Sequence, residues 1–518
     1  MGTSTVTLVV GAGAAGGVVA ARLSEDPDNH VILIEAGPDF ASKEDLPPEL
    51  EAADFPQLTA YGWGLDAYHV EGEQLNPYPR GKVLGGSSSV NGAVFVRGRK
   101  ADFDGWAAAG NPSWSWDRIL PEFIELESDQ QFGELPYHGS EGPVRIERTT
   151  DEGWPRFLRA YRDDLAASGV PATDDVNAPD SVGVGHVPRN RAGKYRESTL
   201  ITHITPARTR KNFEVCGDTL ALRVIHERGR ATGVEVDGPS GIEVIPADRV
   251  VLSGGAFISP MILMHSGIGD PEELGRVGIE TKVELPGVGN NLQDHPGLPL
   301  IAEAVNTEPG LHGFRFYARD SSGLGPENDI AYTPGQVPIE GVNFPVDTIA
   351  EDLAYFVASL ALPNSRGWLK LRSADPHDLP DVHLNFLSDP SDVERLKAAY
   401  RPMVETALKG TVSETIGKIV IPGPEEYGDD ILGWLDTPEA EEWMRRAVLT
   451  SFHLVGTCKM GPASDPQAVV DDHLRVHGFE NLYVADASIM PSITSGMTNA
   501  SSYLIGHHFV TLLRADAA

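Results

Sequence analysis

Residues 5–23 read TVTLVVGAGAAGGVVAARL, and this stretch decides the fold class. An apolar, β-branched run of strand length leads through a glycine turn into an alanine-rich helical pattern. In such a turn Gly11 permits the tight bend, Gly13 lets backbone approach a pyrophosphate, and Gly16 lets the helix pack on the strand. The start of the helix then faces the phosphates. The stretch predicts a dinucleotide-binding strand–turn–helix unit.

A second apolar strand, residues 30–35, ends in a carboxylate. Glu35 stands 24 positions after Gly11, close to the spacing of about 20 at which an acid bonds the ribose hydroxyls of a dinucleotide. Such an acid disfavours a 2′-phosphate. These two features do not distinguish FAD from NAD as the bound dinucleotide.

Composition and charge narrow the class of protein. The chain has 518 residues with 41% hydrophobic and 22% charged residues and a formal net charge of -34. The length predicts two or three folded units, and the composition is that of a globular protein. The negative field repels nucleic acid and anionic membranes, so neither is an expected partner. It would attract a cationic substrate, but it serves solubility equally well.

The predicted compartment is the cytoplasm. The two cysteines, Cys216 and Cys458, are too few for a disulfide framework. The N-terminus has no basic region ahead of an apolar segment, and no apolar run reaches about 18 residues.

Four further blocks carry a resemblance to a known family. They are GKVLGGSSSVNGAVF at 81–95, GAFISPMILMHSGIG at 255–269, LPGVGNNLQDHP at 285–296 and LYVADASIMP at 482–491. Together with the glycine turn, these blocks resemble the glucose-methanol-choline (GMC) family of FAD-dependent oxidoreductases. The resemblance spans nearly the whole chain and favours FAD over NAD.

The resemblance implies an α/β fold in two parts. A Rossmann-like FAD-binding domain of GMC type is expected from residues 1–155, 205–300 and 450–518. An inserted α+β substrate-binding domain, built on an antiparallel sheet, is expected from 156–204 and 301–449.

Two segments, 368–372 and 381–387, alternate like strands of that antiparallel sheet. Asn385 is therefore a candidate for the substrate pocket, although a strand residue that bonds only locally fits the pattern equally well.

The resemblance also implies a set of FAD-binding residues, mostly small ones whose backbone borders the flavin and the pyrophosphate. They are Gly11, Gly13, Ala14, Ala15, Gly16, Glu35, Ala36, Gly81, Val83, Gly85, Gly86, Ser87, Asn91, Gly92, Ala93, Val94, Ala221, Gly255, Asp486, Ala487, Thr498, Asn499 and Ala500. Ala221 stands where the family usually offers a valine backbone to the adenine. Some members attach FAD through a histidine near position 78, where this chain has Tyr78, so noncovalent FAD is expected.

Alcohol oxidation by a flavin requires a group that accepts the hydroxyl proton while hydride leaves the carbon, and a neutral imidazole suits that task. His453, in SFHLVGTCKMG at 451–461, lies at the position of the family's catalytic histidine. No metal-ligand spacing stands out, so no metal is expected.

The main departure from the family is Met497, which stands where a second histidine or an asparagine is usual. A thioether can neither accept the proton nor bond the substrate oxygen strongly. Either Asn499 or Thr498 supplies the missing hydrogen bond, or His453 works without its usual partner. Asn499 is therefore a secondary catalytic candidate, and Met497 is expected to shape the substrate pocket.

The predicted function is FAD-dependent oxidation of a primary or secondary alcohol by hydride transfer to flavin N5, with His453 as the base. Sugars, glycosides, amino sugars, aromatic alcohols and choline remain open as substrates, and O2 or another compound as electron acceptor. Met497 also leaves open a lyase on the same scaffold, similar to the hydroxynitrile lyases. A flavoprotein without turnover and an NAD dehydrogenase are the remaining alternatives.

Overall fold

The computed structural model describes residues 5–53, 60–152, 154–305, 315–337 and 353–517. The fold of the described residues is mixed α/β, with a five-stranded parallel sheet, a two-stranded parallel sheet and several sheets that contain antiparallel strands. The predicted fold class is confirmed.

The glycine turn belongs to a parallel sheet. Within the described residues its five strands have the spatial order Phe213–Cys216, Asn29–Ile34, Thr5–Val10, Arg249–Leu252 and Leu482–Val484. The central strand is fully buried from Thr7 to Val10. Its valine-rich sequence fits a strand covered on both faces, as parallel strands usually are.

Helices pack on this sheet and bring their N-termini to one edge. Ala14–Leu23 follows the central strand and Gly255–His265 follows its neighbour. The last helix, Thr498–Ala517, packs on the first, and the two backbones are so close that a Cβ at Gly506 would lie 2.4 Å from the Ala15 carbonyl oxygen. The first and last of these helices therefore meet beside the glycine turn.

A large sheet, antiparallel throughout, faces this edge. Its eight strands among the described residues are Gly183–His186, Pro296–Ala304, Phe316–Asp320, Ile330–Tyr332, Gly335–Val337, Leu353–Leu360, Ile416–Ile421 and Leu449–Thr450. We call it the large sheet. Pro296–Ala304 lies across residue 300, where the predicted FAD-binding segment ends, and the division into domains stays a prediction.

Smaller sheets complete the strands. The first contains Leu220–Glu227, Arg230–Gly238 and Gly241–Pro246, and the second contains Glu127–Asp129, Val144–Arg148, Pro188–Ala192 and Tyr195–Arg196. The third contains Asp66–Tyr68, Leu75–Pro77, Trp368–Lys370 and Asp381–His383. The fourth contains Ile268–Gly269 and Val283–Glu284. The strands expected at 368–372 and 381–387 exist in shorter form. They belong to the third small sheet rather than to the large sheet, because they pair with each other and with Asp66–Tyr68.

The remaining helices connect the strands of these sheets along the chain. They are Pro48–Glu51, Lys100–Ala108, Trp116–Leu126, Arg156–Ala167, Thr205–Ala207, Pro271–Arg276, Pro390–Lys409, Pro424–Tyr427, Ile431–Trp434 and Pro438–Ala447. None of the helices in the described part of the chain is long and apolar enough to cross a bilayer.

Candidate active site

One cavity runs from the carboxyl edge of the parallel sheet to the large sheet. Its dinucleotide end is lined by residues of the glycine turn and the sequence blocks that follow the parallel strands. The other end of the cavity is a wall formed by residues of the large sheet and by Thr333, which follows the strand Ile330–Tyr332. This sheet wall consists of Gly297, Thr333, Tyr355, Val357, Leu449 and Thr450. His453 and Met497 also line the cavity.

The dinucleotide end fits a pyrophosphate held by backbone. The helix Ala14–Leu23 has Gly13 as its N-cap and no side-chain cap, so its first N–H groups are left for an anion. Gly11 has φ +97°, a conformation that favours glycine. A Cβ at Gly86 would lie 2.7 Å from the Gly13 Cα, so this part of the cradle must be glycine.

Glu35 closes the same end. One carboxylate oxygen accepts from the Ala12 N–H at 2.9 Å and the other from the Gly37 N–H at 3.1 Å. Burial raises the pKa of Glu35 to about 7, against the effect of these backbone bonds. The carboxylate is thus held at the end of its strand, where it lines the cavity and can accept from ribose hydroxyls.

Asp486 fixes the backbone on the opposite side of the glycine turn. Its side chain accepts from the Gly255 N–H at 2.9 Å and the Ser259 hydroxyl at 2.5 Å, and from the Ser488 N–H at 2.8 Å. Together these features fit the dinucleotide FAD.

The candidate base, His453, contacts a second histidine. The Nδ1 atoms of His453 and His295 are 2.9 Å apart, and the Nε2 of His295 lies 3.0 Å from the Thr494 carbonyl oxygen. Burial, His295 and Arg80 hold the pKa of His453 well below 6.5, and burial lowers the pKa of His295. Both rings are therefore neutral at pH 7.

One buried carboxylate, Asp294, holds both histidines by their backbone. It accepts from the His295 N–H at 2.7 Å and from the His453 N–H at 2.9 Å. Its other oxygen accepts from the Tyr78 hydroxyl at 2.7 Å and from the Thr450 hydroxyl. This four-donor arrangement satisfies a charge that is only 2% exposed.

The residue before the base is strained. Phe452 has φ +61°, which costs a non-glycine residue about 1–2 kcal/mol. Its N–H donates to the Thr450 hydroxyl at 2.8 Å and its ring meets the Tyr78 ring edge-on, with centroids 5.7 Å apart. These contacts hold the turn that presents His453 to the cavity.

The structure separates the candidates near the C-terminal helix. Met497 packs against an apolar cluster that includes Val94 and Tyr317. The Asn499 amide donates to the carbonyl oxygen of Val94, in the cavity wall, at 3.0 Å and to the side chain of the buried Asn190 at 3.1 Å. Thr498 is the first residue of the helix and lines the cavity.

Most of the expected cofactor residues line the cavity, but five do not. Gly16 lies against the Gly11 carbonyl, the packing role expected for it, and Gly85 faces Ser89. Val83 packs with Leu50 and Val90 in a separate apolar cluster. The others are Ala93, which is buried with φ +52°, and Ala500, which is buried in the main core.

The candidate pocket residue Asn385 also lies away from the cavity wall. Its amide donates to the Arg366 carbonyl at 3.2 Å, so the local bonding of a strand end accounts for it.

Sequence reasoning missed the partner His295 and the whole sheet wall. His295 stands in the block at 285–296, but nothing in the block pairs it with His453. The sheet wall comes from strands distributed between 296 and 450 that carry no common motif. Trp63, Arg80 and Thr219 also line the cavity without a signal in the sequence.

Comparison with known proteins identifies relatives of the whole chain. Family models described as GMC oxidoreductase match residues 5–297 and 363–506. The chain is 34% identical to the 5-(hydroxymethyl)furfural oxidase of Methylovorus sp. (strain MP688), over 98% of each chain. It is 35% identical to the oxygen-dependent choline dehydrogenase of Rhizobium rhizogenes (strain K84 / ATCC BAA-868), over 96% of this chain and 93% of that one.

A solved structure agrees over the same extent. The pyridoxine 4-oxidase from Mesorbium loti superposes with a TM-score of 0.90 at 29% identity and covers 99% of both chains.

Proposed function

Because the chain belongs to the GMC oxidoreductase family of FAD-dependent alcohol oxidoreductases, we propose that it oxidises a small, uncharged primary alcohol with His453 as the base. FAD binds noncovalently at the dinucleotide end. The observation that carries the proposal is a neutral imidazole in the wall of the cavity that the cofactor end and the large sheet share.

Oxidation of the alcohol removes one proton and one hydride, and each has an acceptor in the site. The His453 imidazole takes the proton of the substrate hydroxyl, and the ring becomes a cation. FAD held by the glycine turn and Glu35 would supply the acceptor for the hydride of the hydroxyl-bearing carbon. The product is an aldehyde, and the sheet wall holds the substrate carbon in place for the transfer.

The lining of the cavity supports an uncharged substrate. Of the described residues in its wall, only Glu35 and Asp486 carry carboxylates, and both lie at the dinucleotide end. Near His453 the lining includes Phe452, Val357 and Met497. A quaternary ammonium such as choline would find no carboxylate there, and Arg80, which also lines the cavity, would repel it, in spite of the net charge of the molecule.

Two relatives bear names that fit this class. A hydroxymethyl group on a ring is the shared feature of 5-(hydroxymethyl)furfural and pyridoxine, and these compounds name the oxidases to which the chain is similar. We therefore rank ring-bearing primary alcohols first.

An anaerobic screen tests the proposal. The purified flavoprotein is mixed with 5-(hydroxymethyl)furfural, pyridoxine, benzyl alcohol, glucose and choline, and loss of the oxidised flavin band is followed. We expect the ring-bearing primary alcohols to reduce the flavin and choline to reduce it at least about tenfold more slowly, since a desolvated cation without a partner costs more than 1.4 kcal/mol. Faster reduction by choline would refute the substrate class.

The base is tested with His453→Ala. We expect the rate constant of flavin reduction at saturating alcohol to fall about 10²- to 10⁴-fold. The matched control is His265→Gln, a histidine outside the cavity wall, which should reduce at the wild-type rate. Undiminished reduction by His453→Ala would reject the base, and a flavin that no alcohol reduces would favour the non-redox use that Met497 leaves open.

Reoxidation of the reduced protein by O2 or by an added quinone then identifies the acceptor. The cytoplasmic location stays a prediction.

A further inference from the structure

Three groups form a chain that ends at the candidate base. The Thr494 carbonyl oxygen lies 3.0 Å from the His295 Nε2, and the His295 Nδ1 lies 2.9 Å from the His453 Nδ1. The two rings stand at 81° to each other with centroids 5.1 Å apart. We call these three groups the histidine relay.

Counting protons gives the direction of each bond. A carbonyl oxygen has no proton to donate, so the Nε2 of His295 must carry one. A neutral imidazole has a single N–H, which leaves the Nδ1 of His295 as an acceptor. The contact at 2.9 Å then needs a proton on the Nδ1 of His453, and its Nε2 is left with a free lone pair.

The count requires that neither ring be charged. His295 is 5% exposed, and burial disfavours the charged form of both histidines. A charged His295 would donate from both nitrogens, and His453 would then carry its proton on the wrong side.

We propose that His295 is a positioning residue that holds His453 in the Nδ1–H tautomer, so that the Nε2 is free to take the hydroxyl proton. The proposal rests on the proposed function of His453 as the base. It also explains how the base works with an apolar neighbour at Met497. The relay orients the His453 ring through its Nδ1, on the side opposite the Nε2 that takes the substrate proton.

The relay serves the charged form of the base as well. Once the Nε2 of His453 has taken the proton, the Nδ1–H still donates to His295, and a bond from a cation is stronger than one from a neutral ring. The ring need not turn between the two states. Asp294 fixes the backbone of both histidines during the change.

Two substitutions separate the relay from simple packing. His295→Gln keeps an acceptor for His453 and a donor for Thr494, whereas His295→Leu removes both. At saturating concentrations of the fastest alcohol of the screen, we expect His295→Leu to reduce its flavin about 100-fold more slowly, with little change in the substrate dissociation constant. His295→Gln should stay within about tenfold of the wild type. The control His508→Gln changes a buried histidine bonded to Glu122 and Ser113 and should leave the rate unchanged.

Nitrogen-15 NMR of histidine-labelled flavoprotein reads the tautomer without turnover. We expect the wild-type His453 to show a protonated Nδ1 and an unprotonated Nε2, assigned from its loss in His453→Ala. A proton on Nε2, or a His295→Leu variant that reduces flavin as fast as the wild type, would overturn the proposal. Because the spectrum needs no substrate, the tautomer can be confirmed even if His453→Ala shows that the base is another group.

Discussion

Position 497 is apolar in its surroundings as well as in its side chain. Met497 packs against a cluster that joins Val94 and Val96, from the segment beside the flavin site, to Tyr317 and Ala331 of the large sheet. Met497 lines the cavity and is at the same time partly buried against this cluster, so a polar side chain here would lose apolar packing. The departure from the family is therefore built into the packing.

We expect that replacing Met497 by asparagine, one of the residues usual in the family, will not increase the rate of flavin reduction. In Met497→Asn the amide enters an apolar cluster, so we expect the free energy of unfolding to fall by about 1–3 kcal/mol and flavin reduction to become no faster. Met497→Leu is the matched control and should cost less than about 1.5 kcal/mol. Urea unfolding and anaerobic reduction measure the two effects. A faster and equally stable Met497→Asn would contradict the role given to the relay.

Glu35 makes a second prediction at the scale of one side chain. At about pH 8.5, above the Glu35 pKa of about 7, Glu35→Gln replaces a charged acceptor by a neutral one, and the difference of about 1.4 kcal/mol should weaken FAD binding about tenfold. Titration of apoprotein with FAD, followed by flavin fluorescence, measures it. Glu214→Gln, on the neighbouring strand but exposed, should bind FAD as the wild type does. Equal affinity for the two variants would remove Glu35 from the cofactor site.

At the scale of elements, the contact between the first and last helices limits what residue 506 can be. In Gly506→Ala the new Cβ would lie 2.4 Å from the Ala15 carbonyl oxygen, so the helices must separate and stability should fall by about 1–3 kcal/mol. FAD affinity should fall with it, because Ala15 lines the cofactor end. Thermal unfolding with and without FAD measures both.

The control for this change is another helical glycine. Gly105, in Lys100–Ala108, has open space around its Cβ position, so Gly105→Ala should stabilise the protein by about 0.5–1 kcal/mol. If both variants lost equal stability, the close approach at Gly506 would not be the reason.

The parallel sheet could be predicted from sequence, and the sheet wall could not. The strand–turn–helix pattern at 5–23 is local, because the helix start, the turn and the strand are consecutive. The large sheet pairs Gly183–His186 with Phe316–Asp320, a pairing set by tertiary packing and not by any pattern in either segment. The same holds for His295 and His453, which meet only after strands far apart in sequence have paired.

At the scale of the whole molecule, one group of buried charged side chains is neutralised internally. Glu127, Asp129 and Asp175 face Arg97, Arg148 and His138, with contacts of 2.5–2.9 Å between most pairs. Burial opposes a charge on His138, but hydrogen bonds to Asp175 and Glu127 leave its pKa raised. Glu127, Asp129 and His138 are close enough for a metal ion, but the two guanidiniums already supply the positive charge.

Other histidines are buried neutral, and they make the fold sensitive to acid. Burial lowers the pKa of His203 from 6.5 to about 3. Below pH 6.5 the unfolded chain takes up the proton that the folded chain refuses, so stability is lost as the pH falls. For this one group the loss amounts to about 2 kcal/mol between pH 6.5 and 5.

Thermal unfolding as a function of pH tests this. The melting temperature should fall from pH 7 to pH 5, and less steeply in His203→Gln, which has no proton to gain. A parallel fall in both proteins would assign the acid sensitivity to other groups.

The overall architecture and the cofactor were predicted from sequence blocks that resemble those of a family. The substrate could not be predicted in this way, because the sheet wall comes from strands that lie far apart in sequence and carry no common motif. The net charge of -34 did not decide the substrate either, since the field of the surface and the lining of an interior cavity are set by different residues.

The docking of the last helix against the first has a consequence for biosynthesis. Cavity residues range from Val10 to Ser502, so a nascent chain cannot assemble the flavin site until almost all of it has left the ribosome. The cofactor end is therefore complete only after residues 498–502 have been synthesised, and we expect a polypeptide truncated before Thr498 to bind FAD more weakly.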